Sequence, residues 1–223
     1  MSASGARRVT SGAWAAVRRY PVLSSALLVV TVGVVVLGEL VGLAVFLSIG
    51  LVVLVGAVAV PVSRWWSARR GRSSPGVVLG SLALAAVLVG VAIQAVPFGR
   101  AHSNGEITGE PAWADARTRE LVVRACYDCH SNEVEYPWYA SVAPVSWAVE
   151  MHVNQGRGDV NYSTFATDPG KADESVEVVL DGSMPPGYFT RFGLHPEASL
   201  TDAELEELVR GLRATPGLSE DDD

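Results

Sequence analysis

Long apolar runs near the N-terminus constrain the fold of this 223-residue chain more than any other feature of its sequence. Residues 22–62 contain a single charged side chain, Glu39. As one helix they would extend about 60 Å, twice the thickness of a bilayer's hydrocarbon core. The run must therefore fold back, and Gly38 and Gly42 beside Glu39 indicate a tight hairpin. With a further apolar run at 77–98, we predict three transmembrane helices, at about residues 22–38, 42–62 and 77–98, which form a membrane anchor over residues 1–98.

Arginines indicate the orientation of this anchor. Four precede the first run and four lie between the second and third: Arg7, Arg8, Arg18, Arg19, Arg64, Arg69, Arg70 and Arg72. By the positive-inside rule both segments are cytoplasmic, and three crossings place the rest of the chain on the extracytoplasmic face of a multi-pass protein. The apolar stretch is too long for the core of a cleaved secretory signal. For Glu39 two interpretations stay open, a solvated hairpin tip and an intramembrane carboxylate that handles protons.

The charge changes sign after the anchor. Residues 1–98 carry eight arginines against one acid, whereas residues 99–223 carry nine cations against 23 acids, a net charge of -14. This asymmetry indicates a basic membrane portion and an acidic soluble portion. The acidic portion would repel phosphate, so nucleic acid is excluded as a partner.

The soluble portion is predicted to be all-α. Residues 99–111 lack periodicity and are predicted to be a linker, residues 112–217 form one small domain, and residues 218–223 form an acidic tail. Helices are predicted over residues 113–129, from Pro144 to Asn154, and from Asp168 toward Leu180. The last helix begins at a capping box formed by Thr201 and Glu204 and carries an apolar stripe, Leu205, Leu208 and Leu212.

Both cysteines of the chain lie in one pentapeptide, Cys126-Tyr-Asp-Cys129-His130. The spacing C-x-x-C-H is typical of covalent attachment of c-type haem, in which two thiols bond the porphyrin and the histidine ligates the iron. A redox disulfide would need a βαβ neighbourhood, and no strand pattern precedes the motif. A zinc site would need more nitrogen or sulfur ligands, with His152 and His195 in an unusual arrangement. We predict one covalently attached haem c, with His130 as its proximal ligand.

Met184 is the favoured sixth ligand of the iron. It lies in Gly182-Ser-Met-Pro-Pro186, where prolines hold the chain extended and can present a thioether. Other candidates are Met151, His102, His152 and His195. Aromatic side chains are expected to wall the porphyrin or to hydrogen-bond its propionates, Trp138 and Trp147 foremost, with Tyr136, Tyr139, Tyr162 and Phe165. Arg124 and Arg157 are possible propionate partners, although a solvated position is expected for both.

Several separated motifs, in order, resemble the bacterial haem-binding domain family of membrane-anchored c-type cytochromes. They are Cys126–Asn132, Tyr136–Tyr139, Val142–Trp147, Val160–Ser163, Ser183–Pro186 and His195–Pro196, preceded by Ile93–Arg100, which resembles the end of that family's anchor. The resemblance covers residues 77–213. It implies a cytochrome c-like helical domain with His130 proximal and Met184 distal. The first two predicted spans depart from the family's single anchor.

These features predict a membrane-anchored, single-haem electron carrier on the extracytoplasmic face. Its partners would be redox proteins with basic docking patches, including components of respiratory chains, met in encounters that weaken with salt. An electron-transfer protein is favoured over an enzyme. Two alternatives stay open: a haem sensor or gas-binding module with an open or labile sixth position, and a peroxidase-like enzyme that uses His152 or Glu150 near the iron.

Overall fold

The computed structural model describes residues 32, 33, 36, 45–71, 74–190 and 195–219 of the chain. The chain divides into two compact units, Met1–Ala95 and Val96–Asp223. Throughout the described residues the protein contains helices and connecting segments and no β-strand, as the all-α prediction requires.

The first unit contains two long helices, α1 (Val45–Arg70) and α2 (Pro75–Ile93). Their segments Leu47–Arg69 and Pro75–Ile93 have mean hydropathies of 2.0 and 2.5, and each is long and apolar enough to cross a membrane. Ser81 Oγ donates 2.7 Å to the Val77 carbonyl, which satisfies a hydroxyl inside the apolar helix. The described residues thus contain two candidate spans where the sequence predicts three. The first predicted span, 22–38, and the Glu39 hairpin lie almost wholly outside them.

The observed ends of these two helices differ from the predicted ones. Helix α1 continues eight residues past the predicted end at Val62. Arginine and tryptophan are acceptable in a helix where it enters the membrane interface, and the Arg69 guanidinium lies 4.0 Å from the centre of the Trp65 ring. The helix ends at Gly71, whose φ of 70° breaks it. Helix α2 ends at Ile93 instead of Phe98, since Pro97 lacks the N–H that a continued helix needs.

The described residues of the second unit form six short helices and three 3-10 turns. The helices are α3 (Ala116–Ala125), α4 (Tyr127–His130), α5 (Val145–Asp159), α6 (Ser175–Leu180), α7 (Gly187–Thr190) and α8 (Asp202–Arg213). The 3-10 turns are Trp138–Ser141, Ala172–Glu174 and Pro196–Ala198.

The core of this unit lies between α3, α6 and α8. Leu121, Leu208 and Leu212 are buried there, together with Val176 and Val179. Close packing of α3 on α8 depends on Gly211, because a Cβ at that position would collide with the Thr118 side chain. The predicted capping box is confirmed, since Thr201 Oγ1 accepts from the Glu204 N–H and Glu204 accepts from the Thr201 N–H.

Three predicted helices have different bounds. The helix predicted from Pro144 to Asn154 is α5, which begins at Val145 and continues to Asp159. The predicted helix 113–129 is interrupted at Cys126, whose φ of -124° and ψ of -32° separate α3 from α4. The helix predicted from Asp168 begins at Ser175. Asp168 Oδ1 accepts from the Gly170 N–H, so the carboxylate caps a turn that Gly170 completes with a φ of 56°.

Residues 99–111, predicted as a linker, form an extended strap that is bonded to the helical unit. Thr108 and Gly109 donate their N–H groups to the Ser163 carbonyl, and Asn104 Oδ1 accepts from the Val134 N–H. The strap escaped prediction because the partners of these three bonds are 30 to 55 residues away in sequence. The predicted tail also begins too early: Leu218 is fully buried in the core, so the folded unit reaches at least Ser219.

Candidate haem site

The pentapeptide of Cys126 to His130 forms the junction between α3 and the single turn of α4. The Cys126 carbonyl accepts from the N–H groups of both Cys129 and His130. Ser131 Oγ ends the turn by donating 2.8 Å to the Tyr127 carbonyl. This tight turn places both thiols and the imidazole in the wall of one cavity of about 230 Å³.

The His130 imidazole is oriented by the backbone of the segment that follows α5. Its Nδ1 lies 3.1 Å from the Val160 carbonyl oxygen, and since a carbonyl only accepts, Nδ1 carries the proton. The neutral ring therefore leaves the lone pair on Nε2 available for a metal. Burial lowers the pKa of His130, which favours this neutral form. The Tyr162 N–H, 2.8 Å from the His130 carbonyl, fixes the same segment from the other side.

The two thiols lie in apolar surroundings. Burial raises the pKa of Cys126 and of Cys129 to about 12, so both are protonated at neutral pH. They form no disulfide with each other. Helix α5 packs directly on this turn because Gly156 has no side chain: a Cβ there would collide with the Cys129 carbonyl group.

Met184 lies in the wall of the same cavity, although it is 54 residues beyond His130 in the chain. The loop that carries it is held to α6, since the Met184 N–H donates 2.9 Å to the Val178 carbonyl and Ser183 Oγ donates 3.1 Å to the same oxygen. The Asp181 carboxylate in turn accepts from the Ser183 N–H. Met184 is thus presented by a loop that three hydrogen bonds hold in place.

Most of the remaining wall is apolar, and it overlaps the core. Tyr162, Val179 and Leu212 belong both to the core and to the cavity wall. Polar groups come mainly from one stripe of α5, at i, i+3 and i+7: His152, Gln155 and Asp159. The Asp159 carboxylate pairs at 2.8 Å with Lys171, the only lysine in the chain and also part of the wall.

The structure does not bring Trp138 or Trp147, both predicted to contact the porphyrin, into this wall. Trp138 is 80% exposed, because the 3-10 turn that carries it buries only Ala140. Trp147 lies on α5 about 140° around the helix from His152, on a different face. Its indole N–H is buried without a hydrogen-bond partner among the described residues. Of the other predicted aromatics, Tyr162 alone contributes to the wall.

Of the alternative candidates for the sixth iron ligand, His152 lines the cavity, and Met151, His102 and His195 do not. His152 lines the cavity, where its ring stacks on Tyr188 at 4.8 Å between centroids, whereas Met151 does not line it. His102 lies away from the cavity wall, stacked on Tyr136 at 4.3 Å. His195 is 13% exposed and contacts Tyr139 Oη at 2.8 Å and the Asp128 carboxylate at 3.5 Å. His195 therefore does not lie with the thiols and His152. A zinc site built from these residues would need all of them together.

The two arginines considered as propionate partners bind the protein instead. Arg124 pairs with Glu204 at 2.6 Å and donates to the Glu197 carbonyl. Arg157 donates to the carbonyls of Ser131 and Ser103 and to Asn104 Oδ1. Lys171, together with Tyr188 and Phe189, was missed by sequence reasoning. The available signals were the single lysine and the two aromatic residues just after the Met184 loop.

The donor set and the shape of the wall fit a haem group. Two thiols, an imidazole with a free Nε2 and a thioether line one cavity whose other walls are largely aliphatic and aromatic, as porphyrin binding requires. Among the described residues, the group of side chains close enough to hold a metal ion together is Asp128, His195 and Glu197, and none of these lines the cavity.

A family model described as the haem-binding domain matches residues 88–214, more than half of the chain. No curated protein and no solved structure matches the chain significantly. The matched range includes the whole of the cavity wall described above. The chain therefore belongs to the haem-binding domain family, and its cofactor is a haem.

Proposed function

We propose that the protein is a membrane-anchored, single-haem c-type cytochrome that carries electrons on the extracytoplasmic face. One observation carries the proposal: the fold brings Cys126, Cys129 and His130 into one cavity wall with the distant Met184. When bound, the haem would supply an iron that accepts and releases one electron. Cys126 and Cys129 would hold it by thioether bonds, with His130 and Met184 as axial ligands.

The protein's own residues tune such a group in three ways. The Val160 carbonyl fixes the His130 ring and raises the basicity of Nε2. The thioether of Met184, paired with a histidine, favours a high reduction potential. The apolar wall excludes water and favours the less charged state. Lys171 lies in the cavity wall, where it could pair with a haem propionate. It would then give up its present ion pair with Asp159.

Location follows from the anchor. Helices α1 and α2 are long and apolar enough to span a membrane, and the arginines after Ser63 lie in the last turns of α1 and in the segment that joins it to α2. The positive-inside rule then places the haem domain outside the cytoplasm, the side on which c-type haem is attached. A net charge of -14 after residue 98 favours redox partners with basic docking patches, respiratory-chain components among them.

Covalent attachment is tested by replacing both cysteines. The Cys126→Ser/Cys129→Ser chain, made in a host with working cytochrome maturation, should lose the haem-stained band on a denaturing gel that the unaltered chain shows. A haem band of equal strength would contradict the thioether bonds. A reporter enzyme fused after Asp223 checks the location, since it should be active only outside the cytoplasm.

The axial ligand is tested by spectroscopy. Met184→Ala should abolish the long-wavelength band of ferric His/Met haem, lower the reduction potential and let carbon monoxide bind. Met151→Ala, outside the cavity wall, is the matched control and should leave all three unchanged. An unaltered spectrum in the Met184→Ala protein would remove Met184 from the iron.

His152 supports a second candidate function. Its ring lies in the same cavity wall and stacks on Tyr188, so an acid or base would be at hand if the sixth position were open. A sensor or a peroxidase-like enzyme would then show a high-spin spectrum and rapid carbon monoxide binding before any substitution. His152→Phe would change the reaction with peroxide in that case and leave the potential of an electron carrier almost unchanged.

A further inference from the structure

An apolar surface lies at the beginning of α5, outside the haem cavity. Trp138 is 80% exposed, Val142 43% and Val145 38%. The Trp138 ring is supported edge-on by Tyr139, with 5.8 Å between centroids. We call Trp138, Val142 and Val145 the α5 patch. Water-exposed tryptophan at a fixed position beside two exposed valines is unfavourable in a soluble surface and indicates an apolar partner.

The segment that leads into the strap, with Phe98 and Gly99, contacts the first turn of α5 beside this patch. The Phe98 carbonyl accepts from Ser146 Oγ at 3.4 Å, and Ser146 lies in the first turn of α5, next to Val145. Gly99 packs so closely on the Ser146 carbonyl that no Cβ would fit, and its φ of 73° also favours glycine. Phe98 is itself 47% exposed, so it extends the apolar surface toward the point where the chain enters the unit.

The chain provides only a short spacer before this point. Helix α2 ends at Ile93, and Phe98, whose carbonyl accepts from Ser146, is five residues later. Five extended residues span at most about 17 Å. If α2 crosses a bilayer, a spacer of this length lets the first turn of α5 reach the headgroup region.

We propose that the α5 patch, with Phe98, is a membrane-docking surface that lies in the interfacial region of the bilayer. The inference rests on the membrane anchor of the proposed function. Tryptophan suits this region, because its ring is apolar and its N–H reaches water. The acidic unit would be repelled by anionic lipids, so the contact is apolar and is strongest on zwitterionic lipid. Docking would hold the haem domain in one orientation toward the membrane.

The test uses the full chain in phosphatidylcholine vesicles, with a nitroxide on Val142→Cys and the haem reduced. Relaxation of the label by oxygen, relative to a water-soluble nickel chelate, reports its depth. The matched control is Glu206→Cys, an exposed position on α8. We expect the oxygen-to-nickel ratio at 142 to exceed that at 206 several-fold, and a Trp138→Ser substitution to reduce the difference at least by half.

Two results would overturn the proposal in distinguishable ways. If the chain floats with the vesicles but the label at 142 is as accessible to nickel as the label at 206, the docking surface fails and the anchor stands; the patch then belongs to a protein partner. If the chain does not float with the vesicles, the anchor and the docking surface fail together. Mass spectrometry confirms one nitroxide per chain, since Cys126 and Cys129 carry the haem in the proposed protein.

Discussion

Gly156 is a residue at which α5 approaches the turn of Cys126 to His130 closely. A Cβ at this position would meet the Cys129 carbonyl group, which belongs to the backbone and cannot move aside without distorting α4. Gly158, two residues later in the same helix, has open space around it. The two glycines share a helix and differ in their contacts, which makes them a matched pair.

We predict that Gly156→Ala destabilises the second unit by about 1–3 kcal/mol, the usual cost of overpacking, and reduces the yield of attached haem. Gly158→Ala should instead stabilise it by about 0.5–1 kcal/mol, because alanine is the better helix former. Free energies of unfolding and haem content of purified proteins are the measurements. Equal behaviour of the two variants would mean that α5 does not pack on Cys129 as described.

At this scale, the sequence predicts site residues when their chemistry is local. Cys126, Cys129 and His130 form one contiguous motif, and Met184 stands beside two prolines, so the sequence alone indicated both groups as candidate haem ligands, and the structure brings them into one cavity wall. The Val160 carbonyl that orients His130 has no side-chain signature. Trp138 was misassigned because aromatic composition does not tell whether a side chain faces the core or the solvent.

At the scale of the element, the capping box at the start of α8 was predicted correctly from the sequence. Its contribution to the free energy of unfolding can be measured. Thr201 Oγ1 accepts from the Glu204 N–H, and Thr201→Ala removes that bond. We predict a loss of about 1 kcal/mol in the free energy of unfolding, the usual value for an N-cap. Thr201→Ser keeps the hydroxyl and should retain most of this stability. If Thr201→Ser is as unstable as Thr201→Ala, the loss comes from the missing methyl group and not from the hydrogen bond.

The same capping box predicts an acid dependence. The Thr201 N–H, and then Arg124, hold the pKa of Glu204 at about 2, below its ordinary value of 4.5. Because the folded-state pKa is the lower one, the stabilisation is complete above pH 4.5 and is lost as the pH falls toward 2. Glu204→Gln should flatten the stability profile in this window.

The strap shows where local rules end. Residues 99–111 carry no periodicity, so the sequence predicts a free linker, and yet Arg157 binds two strap residues and the Ser131 carbonyl through three different nitrogens. A planar guanidinium is needed for that geometry, and lysine offers a single nitrogen. The partners are 26 to 54 residues away from Arg157 in the sequence, which is why no local pattern revealed them.

We predict that Arg157→Lys releases the strap while the helical core stays folded. Amide hydrogens of residues 102–110 should exchange at least tenfold faster, and α8 should be unaffected. Arg213→Lys, at an exposed position at the end of α8, is the control for the loss of a guanidinium. Unchanged protection of the strap in the Arg157→Lys protein would show that its backbone bonds suffice.

At the scale of the whole molecule, the haem cavity is part of the core. Tyr162, Val179 and Leu212 line both, so a porphyrin in the cavity completes the packing of α3, α6 and α8 around it. Without haem, this partly open cavity of about 230 Å³ leaves its apolar wall in contact with water, which is unfavourable. From the small size of the domain, the sequence predicted that haem would supply part of the buried core. It did not predict which core residues would contact the haem.

The haem-free chain tests this dependence. Cys126→Ser/Cys129→Ser, purified without haem, should lose several kcal/mol of protection against hydrogen exchange in α3 and α8, because the cavity they enclose is then empty or collapsed. Met184→Ala keeps the covalent haem and should lose less than half as much. Exchange in α1 and α2, which belong to the other unit, should be the same in all three proteins and serves as the internal reference. Equal protection of α3 and α8 with and without haem would mean that the core is complete by itself and that the cofactor only occupies a preformed site.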